Sequence, residues 1–245
     1  MAGKTEKPKS GPGAIGKLYL IAYNLILVIG WSYVLCLLTR SYLTDDFKGQ
    51  TLWDTVRNSL FIFQNAAVLE IFHAIFGLVR SNPVITTFQV LSRVMVVCGV
   101  LLATPPTAAA SSIGLPIALF AWSVTEIIRY GYYFANLISF VPHFIVWLRY
   151  TTFIILYPIG VTGELLCFYA AQNYASANPS LWSYTLPNSW NFTFSYNYFL
   201  IFVMLLYIPL FPQMYLHMFA QRKKILGTPA SLKTQKIDHS TKAKM

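Results

Sequence analysis

Glu164 stands in a long apolar run, residues 147–171, where an isolated carboxylate needs a reason. Tyr157 lies seven residues earlier on the same run, followed by Pro158, with Gly160 and Gly163 between the pair. A carboxylate and a phenol can each give or take a proton, so the two together can serve acid–base chemistry. Seven residues at 3.6 per turn return to within about 20° of the starting direction, which puts both groups toward one cavity roughly 10 Å apart along the axis. Pro158 predicts a bend there, and the two glycines predict room for a ligand beside the backbone. An ionisable group at the centre of a membrane span costs about 2.5–3.5 kcal/mol to insert, so its presence points to a function.

The elements that must carry these groups are apolar helices. The 245 residues are 56% hydrophobic, 16% aromatic and only 11% charged, a composition of multispan membrane proteins and not of soluble domains. Apolar runs at 18–38, 60–79, 84–102, 113–136, 147–171 and 198–218 predict an all-α, multi-pass transmembrane bundle of six spans. The run at 84–102 is interrupted by Arg93. The formal charge of +10 would suggest nucleic acid in a soluble protein, but seven of the eighteen Lys and Arg follow Gln221 and four precede Leu18. That placement predicts topology, with both tails cytosolic and no nucleic-acid partner. The expected organisation is a flexible tail at 1–17, a six-helix membrane catalytic domain at 18–220 and a basic cytosolic tail at 221–245.

Other polar groups fall inside these spans: Gln64, Asn65, Glu70 and His73, then Gln89 and Arg93, then Glu126 and Arg129, then Arg149. Charges in lipid pair with one another and face the interior, so Glu70, Arg93, Glu126 and Arg129 are expected either to neutralise one another or to line a substrate cavity. The six tryptophans, Trp122 among them, are expected mostly at membrane interfaces or in lumenal loops. Cys36, Cys98 and Cys167 lack metal-ligand spacing and read as packing residues, so no metal site is expected. Arg222, Lys223 and Lys224 follow the last span, where they set topology, meet anionic lipid or bind a phosphate-bearing ligand.

Four segments are specific enough to suggest a family: Phe88-Gln89-Val90-Leu91-Ser92-Arg93, Thr125-Glu126-Ile127-Ile128-Arg129-Tyr130, Leu156-Tyr157-Pro158-Ile159-Gly160-Val161 continuing to Glu164, and Ile208-Pro209-Leu210-Phe211-Pro212-Gln213. They resemble the very-long-chain (3R)-3-hydroxyacyl-CoA dehydratases, also called protein tyrosine phosphatase-like proteins, across residues 18–226. The resemblance implies a multi-pass enzyme of the endoplasmic reticulum membrane that removes water from a long-chain (3R)-3-hydroxyacyl-CoA to give the trans-2-enoyl-CoA in fatty acid elongation. It places the catalytic pair on Tyr157 and Glu164. It also implies elongases, 3-ketoacyl-CoA reductase and trans-2-enoyl-CoA reductase as partners. A phosphatase would need a Cys thiolate separated by five residues from a phosphate-binding Arg. The chain reads His73-Ala74 through Val79-Arg80-Ser81, so Ala74 stands where the nucleophile would be. A non-catalytic scaffold for elongation enzymes is the other alternative, but such a protein has no need of both Tyr157 and Glu164.

Dehydration needs a base for the C2 proton, an acid for the departing C3 hydroxyl and stabilisation of the thioester oxygen. Glu164 as base with Tyr157 as acid is one assignment, and the reverse is open. Tyr157, a backbone N–H freed near Pro158, Arg93 or Arg129 are the candidates for the thioester oxygen. Each CH₂ of an acyl chain favours an apolar tunnel by about 0.8 kcal/mol, while the CoA nucleotide stays at the cytosolic mouth near Arg149, Arg222, Lys223 and Lys224. No cofactor is expected, because the CoA thioester is itself the substrate.

Overall fold

The computed structural model describes residues 13–44, 49–79 and 81–227. Most of both expected tails, residues 1–12 and 228–245, lies outside the described residues, as does Arg80. Helix makes up 78% of the structure, with no strands among the described residues. The chain runs α1 (Ala14–Leu43), α2 (Leu52–Ala66), α3 (Val68–Ile75), α4 (Pro83–Val96), a π-helical turn (Val97–Leu101), a 3₁₀ turn (Ala109–Ser111), α5 (Gly114–Leu137), α6 (His143–Thr151), α7 (Phe153–Ala177) and α8 (Tyr196–Leu226).

Starts of helices follow local chemistry. Thr51 and Asp54 form a reciprocal capping box at α2, and the Thr51 hydroxyl and amide hold the Asp54 carboxyl below its usual range. Asn82 caps α4 ahead of Pro83, whose missing N–H costs nothing in a first turn.

Four helices are long and apolar enough to cross a membrane: α1, α4 with its π turn, α7 and α8. They mark the chain as a membrane protein. Two of the six expected runs differ from a single span. Residues 60–79 divide at Ala67 between α2 and α3, although neither Pro nor Gly marks the break, and the Ala67 amide bonds back to the Gln64 carbonyl at 3.3 Å. The eight residues of α3 reach only about 12 Å at 1.5 Å per residue. Residues 147–171 divide at Thr152, so α6 is a separate short helix. Residues 113–136 stay whole in α5, whose 24 residues carry Glu126 and Arg129 and span about 36 Å.

The centre of the bundle is α5, packed between α1 and α7. Leu27, Trp31 and Val34 of α1, Leu115, Leu119 and Trp122 of α5, and Phe168 and Ala171 of α7 share one buried core. Lipid is as apolar as these side chains, so close backbone approach rather than hydrophobic burial must hold α5 on α7. Small residues allow it: a Cβ on Gly163 would stand 2.5 Å from the Ala118 nitrogen and 2.8 Å from the Gly114 carbonyl oxygen. Gly163 therefore makes room for α5 rather than for a ligand. By contrast α8 buries only Tyr196 and Leu200, leaving a largely exposed outer face.

Pro158 sits inside α7, which continues through it. A proline deletes the hydrogen bond to the carbonyl four residues earlier. That carbonyl belongs to Ile154, and the Tyr215 hydroxyl of α8 donates to it at 2.9 Å. The lost helical bond is thus replaced by one that ties α8 to α7.

Candidate active site

Tyr157 and Glu164 line a single cavity of about 370 Å³ enclosed by α4, α5, α6, α7 and α8 with the end of α2. Its wall on α8 is apolar apart from Tyr207: Val203, Leu206, Leu210, Phe211, Met214 and Met218 recur along one helical face. The α4 and α5 lining carries the polar groups, Gln89 and Arg93 from α4 and Trp122, Glu126 and Arg129 from α5, beside Phe88, Val90, Leu91 and Ala121. Gly160 lines the cavity as well, so of the two glycines it alone opens toward ligand space. The cavity therefore combines proton-transfer and cationic groups with a hydrocarbon surface that is richest along α8.

Glu164 is 6% exposed, and each of its oxygens has a donor. Trp122 Nε1 donates to Oε1 at 2.8 Å, and the Tyr207 hydroxyl donates to Oε2 at 2.7 Å. Neither donor is charged. The two bonds satisfy a carboxylate that would otherwise be stranded in an apolar bundle. Trp122 reaches Glu164 because Gly163 lets α5 approach; a Cβ on Gly160 would meet the Trp122 ring at 3.9 Å and Ala121 Cβ at 3.4 Å, ordinary contact distances.

Tyr157 is held through its ring. It stacks on Phe211 at 5.5 Å and lies parallel to Tyr215 at 6.1 Å. Its hydroxyl meets Met214 Sδ at 3.7 Å, a weak acceptor. The hydroxyl can therefore turn toward a better acceptor in the cavity.

Glu70, Arg93, Glu126 and Arg129 pair with one another, the first of the two alternatives read from the sequence. Arg93 donates to Glu126 Oε1; Arg129 donates to Glu126 Oε2 at 2.8 Å through Nε and grips Glu70 with bonds of 2.6 and 2.8 Å. Tyr130 donates to the same Glu70 carboxylate. Two arginines and two glutamates thus neutralise one another across α3, α4 and α5, and Arg93, Glu126 and Arg129 also line the cavity. Arg93 lies 5.8 Å over the Trp122 ring, which links the ion-pair cluster to the donor of Glu164.

Arg149 lines the cavity from α6, with its guanidinium about 6 Å from the Tyr133 and Tyr150 rings. Arg222, Lys223 and Lys224 do not line it. They lie beyond Met218, the last α8 residue in the wall, and Lys223 and Lys224 are exposed. The structure thus groups Tyr157, Glu164, Arg93, Arg129 and Arg149 and leaves the terminal cluster outside.

Sequence reasoning missed Trp122 and Tyr207. Trp122 belongs to the core, not to an interface belt, and Trp31 and Trp53 are buried with it, while Trp147, Trp182 and Trp190 are exposed. The available signal was spacing: Trp122, Glu126 and Arg129 recur at helical intervals on one face, as do Tyr207, Phe211, Met214 and Met218. Gln64, noted among the polar groups of the second run, was not read as a site residue. It lines the cavity with a buried amide oxygen that has no hydrogen-bond partner among the described residues.

The family model described as protein tyrosine phosphatase-like protein, PTPLA, matches residues 64–228. Among curated proteins, the chain is 44% identical over 223 residues to the mouse protein (Mus musculus) named very-long-chain (3R)-3-hydroxyacyl-CoA dehydratase 2, covering 90% of this chain and 85% of that one. It is 45% identical over 210 residues to the Caenorhabditis elegans very-long-chain (3R)-3-hydroxyacyl-CoA dehydratase hpo-8, covering 85% and 94%. The rice dehydratase PASTICCINO 2B (Oryza sativa subsp. japonica) is 37% identical over 215 residues, covering 87% and 95%. No solved structure matches the chain.

Proposed function

The chain belongs to the protein tyrosine phosphatase-like family, that of the very-long-chain (3R)-3-hydroxyacyl-CoA dehydratases, and from that premise we propose that it dehydrates long-chain (3R)-3-hydroxyacyl-CoA to the trans-2-enoyl-CoA. The observation that carries the reading is the shared cavity. Tyr157 and Glu164 open onto one space whose wall on α8 is apolar apart from Tyr207, as a reaction at the head of an acyl chain requires. The two side chains divide the proton transfers between them. Arg93 and Arg129, already paired with carboxylates, give the α4 and α5 lining its hydrogen-bond donors near the thioester.

The acyl chain lies along the α8 wall, where each buried CH₂ is favourable by about 0.8 kcal/mol. The CoA phosphates stay outside, met by Arg149 and then by Arg222, Lys223 and Lys224 at the end of α8. Elimination by proton transfer calls for no metal or redox cofactor. The proposed setting is the endoplasmic reticulum membrane, with six crossings in which α2–α3 and α5 supply the two beyond the long apolar helices, and with both termini cytosolic. Elongases and the two reductases of the elongation cycle are the proposed partners.

Purified protein in detergent tests this reading by conversion of a long-chain 3-hydroxyacyl-CoA to the enoyl-CoA. Tyr157→Phe and Glu164→Gln keep shape and remove proton transfer, so each should lower turnover by about 10² to 10⁴-fold at matched folding. Near-normal turnover in either variant would remove that residue from the chemistry. Wild-type protein without turnover would favour the scaffold reading.

A further inference from the structure

Glu164 is clamped by donors from two different helices, and the donors are not equivalent. An indole N–H only donates, so Trp122 requires Oε1 as an acceptor. The Tyr207 hydroxyl gives its proton to Oε2. Both bonds are accepted by Glu164, one on each oxygen, and two donors favour the ionised carboxylate. A proton on Oε1 would weaken the Trp122 bond and a proton on Oε2 the Tyr207 bond, because a protonated oxygen is the poorer acceptor. Each oxygen retains a second lone pair, so the clamp still permits a proton to arrive from the cavity. Tyr157 is the opposite case. Its hydroxyl faces a thioether, and among the described residues no hydrogen bond is donated to its oxygen. No direct hydrogen bond holds it as a resting phenolate, so the group stands as a protonated donor without a good acceptor.

We propose that Trp122 and Tyr207 are positioning residues that hold Glu164 as the base and leave Tyr157 as the acid; the inference rests on the dehydratase reading. Glu164 takes the C2 proton, and the C–H electron pair becomes the C2–C3 double bond. The C3–O bond breaks with its pair on oxygen, which leaves as water with the Tyr157 proton. Proton return from Glu164 to the Tyr157 oxygen resets the pair. The other charged and titratable groups around Glu164 are Arg93 from α4, Glu126 and Arg129 from α5, Arg149 from α6, and Tyr157 and Cys167 on its own helix. Arg93 is already engaged by Glu126, so the clamp and not an ion pair is the direct hydrogen-bonding environment of Glu164.

The test compares full-length wild type with Tyr207→Phe and Trp122→Phe in detergent, across pH, on a long-chain 3-hydroxyacyl-CoA. Removing a donor from an ionised base disfavours the active form, so the acidic limb of kcat/KM should move to higher pH by about one unit per donor. Tyr157→Phe should leave that limb in place. An unmoved acidic limb in well-folded Tyr207→Phe overturns the clamp while wild-type turnover keeps the dehydratase reading. A shift of the basic limb instead would make Glu164 the acid and also overturn it. If wild type shows no turnover, the dehydratase reading falls, and infrared titration of ligand-free protein decides the clamp. The Glu164 band, assigned by its loss in Glu164→Gln, should become protonated at higher pH in Tyr207→Phe than in wild type; coincident titrations overturn the proposal.

Discussion

Replacing Gly163 by alanine is a sharp test of how the fold holds the site. The added Cβ would stand 2.5 Å from the Ala118 nitrogen, about 0.9 Å short of the 3.4 Å at which ordinary contact begins. Gly114 O at 2.8 Å and Ala118 Cα at 2.9 Å close the other directions, and all three are backbone atoms that cannot rotate aside. The helices must therefore separate. A separation of that size along the line between them stretches the 2.8 Å bond from Trp122 to Glu164 beyond about 3.5 Å, where it ceases to be a hydrogen bond. Overpacking of this kind costs about 1–3 kcal/mol. Alanine also gains roughly 1 kcal/mol of helix propensity, but so does Gly131→Ala in α5, where nothing lies within 4 Å of the added atom. The difference between the two variants isolates the steric cost. Thermal unfolding in detergent should place Gly163→Ala below Gly131→Ala, and turnover should fall about 100-fold in the former only, since a misplacement near 1 Å has that scale of effect. Equal midpoints and equal turnover would refute both the close crossing and its role in presenting Trp122.

Tyr215→Phe should leave the Ile154 carbonyl without the donor that replaces the bond lost to Pro158, lowering stability by about 1–3 kcal/mol in detergent unfolding; an unchanged midpoint would mean that water serves the carbonyl equally well. Replacing Arg222, Lys223 and Lys224 together should raise KM for the acyl-CoA while leaving kcat nearly unchanged, because a remote phosphate handle acts equally in ground and transition states. An unchanged KM across salt concentrations would assign the cluster to topology.

Polar residues in an apolar run are conspicuous, which is why Tyr157, Glu164 and the arginines were legible in the sequence while their partners were not. Each such group states a need that lipid cannot meet, but the supplier is set by tertiary contact. Glu126 and Arg129 meet at i, i+3 and their bond was open to a local reading; Arg93 with Glu126 and Arg129 with Glu70 join separate helices and were not. Trp122 and Tyr207 were hidden for another reason, since an aromatic residue suits a core, an interface belt and a hydrogen bond alike, and spacing on one helix does not choose among them. The breaks at Ala67 and Thr152 carry no Pro or Gly, so hydropathy read across them. Gly163 illustrates the general difficulty most directly. A missing side chain in a membrane helix admits either a ligand or another backbone, and only the position of Gly114 and Ala118 on α5 decides for the backbone. That choice in turn brings Trp122 to Glu164, so the chemistry of the carboxylate depends on a packing contact whose residues carry no chemistry of their own.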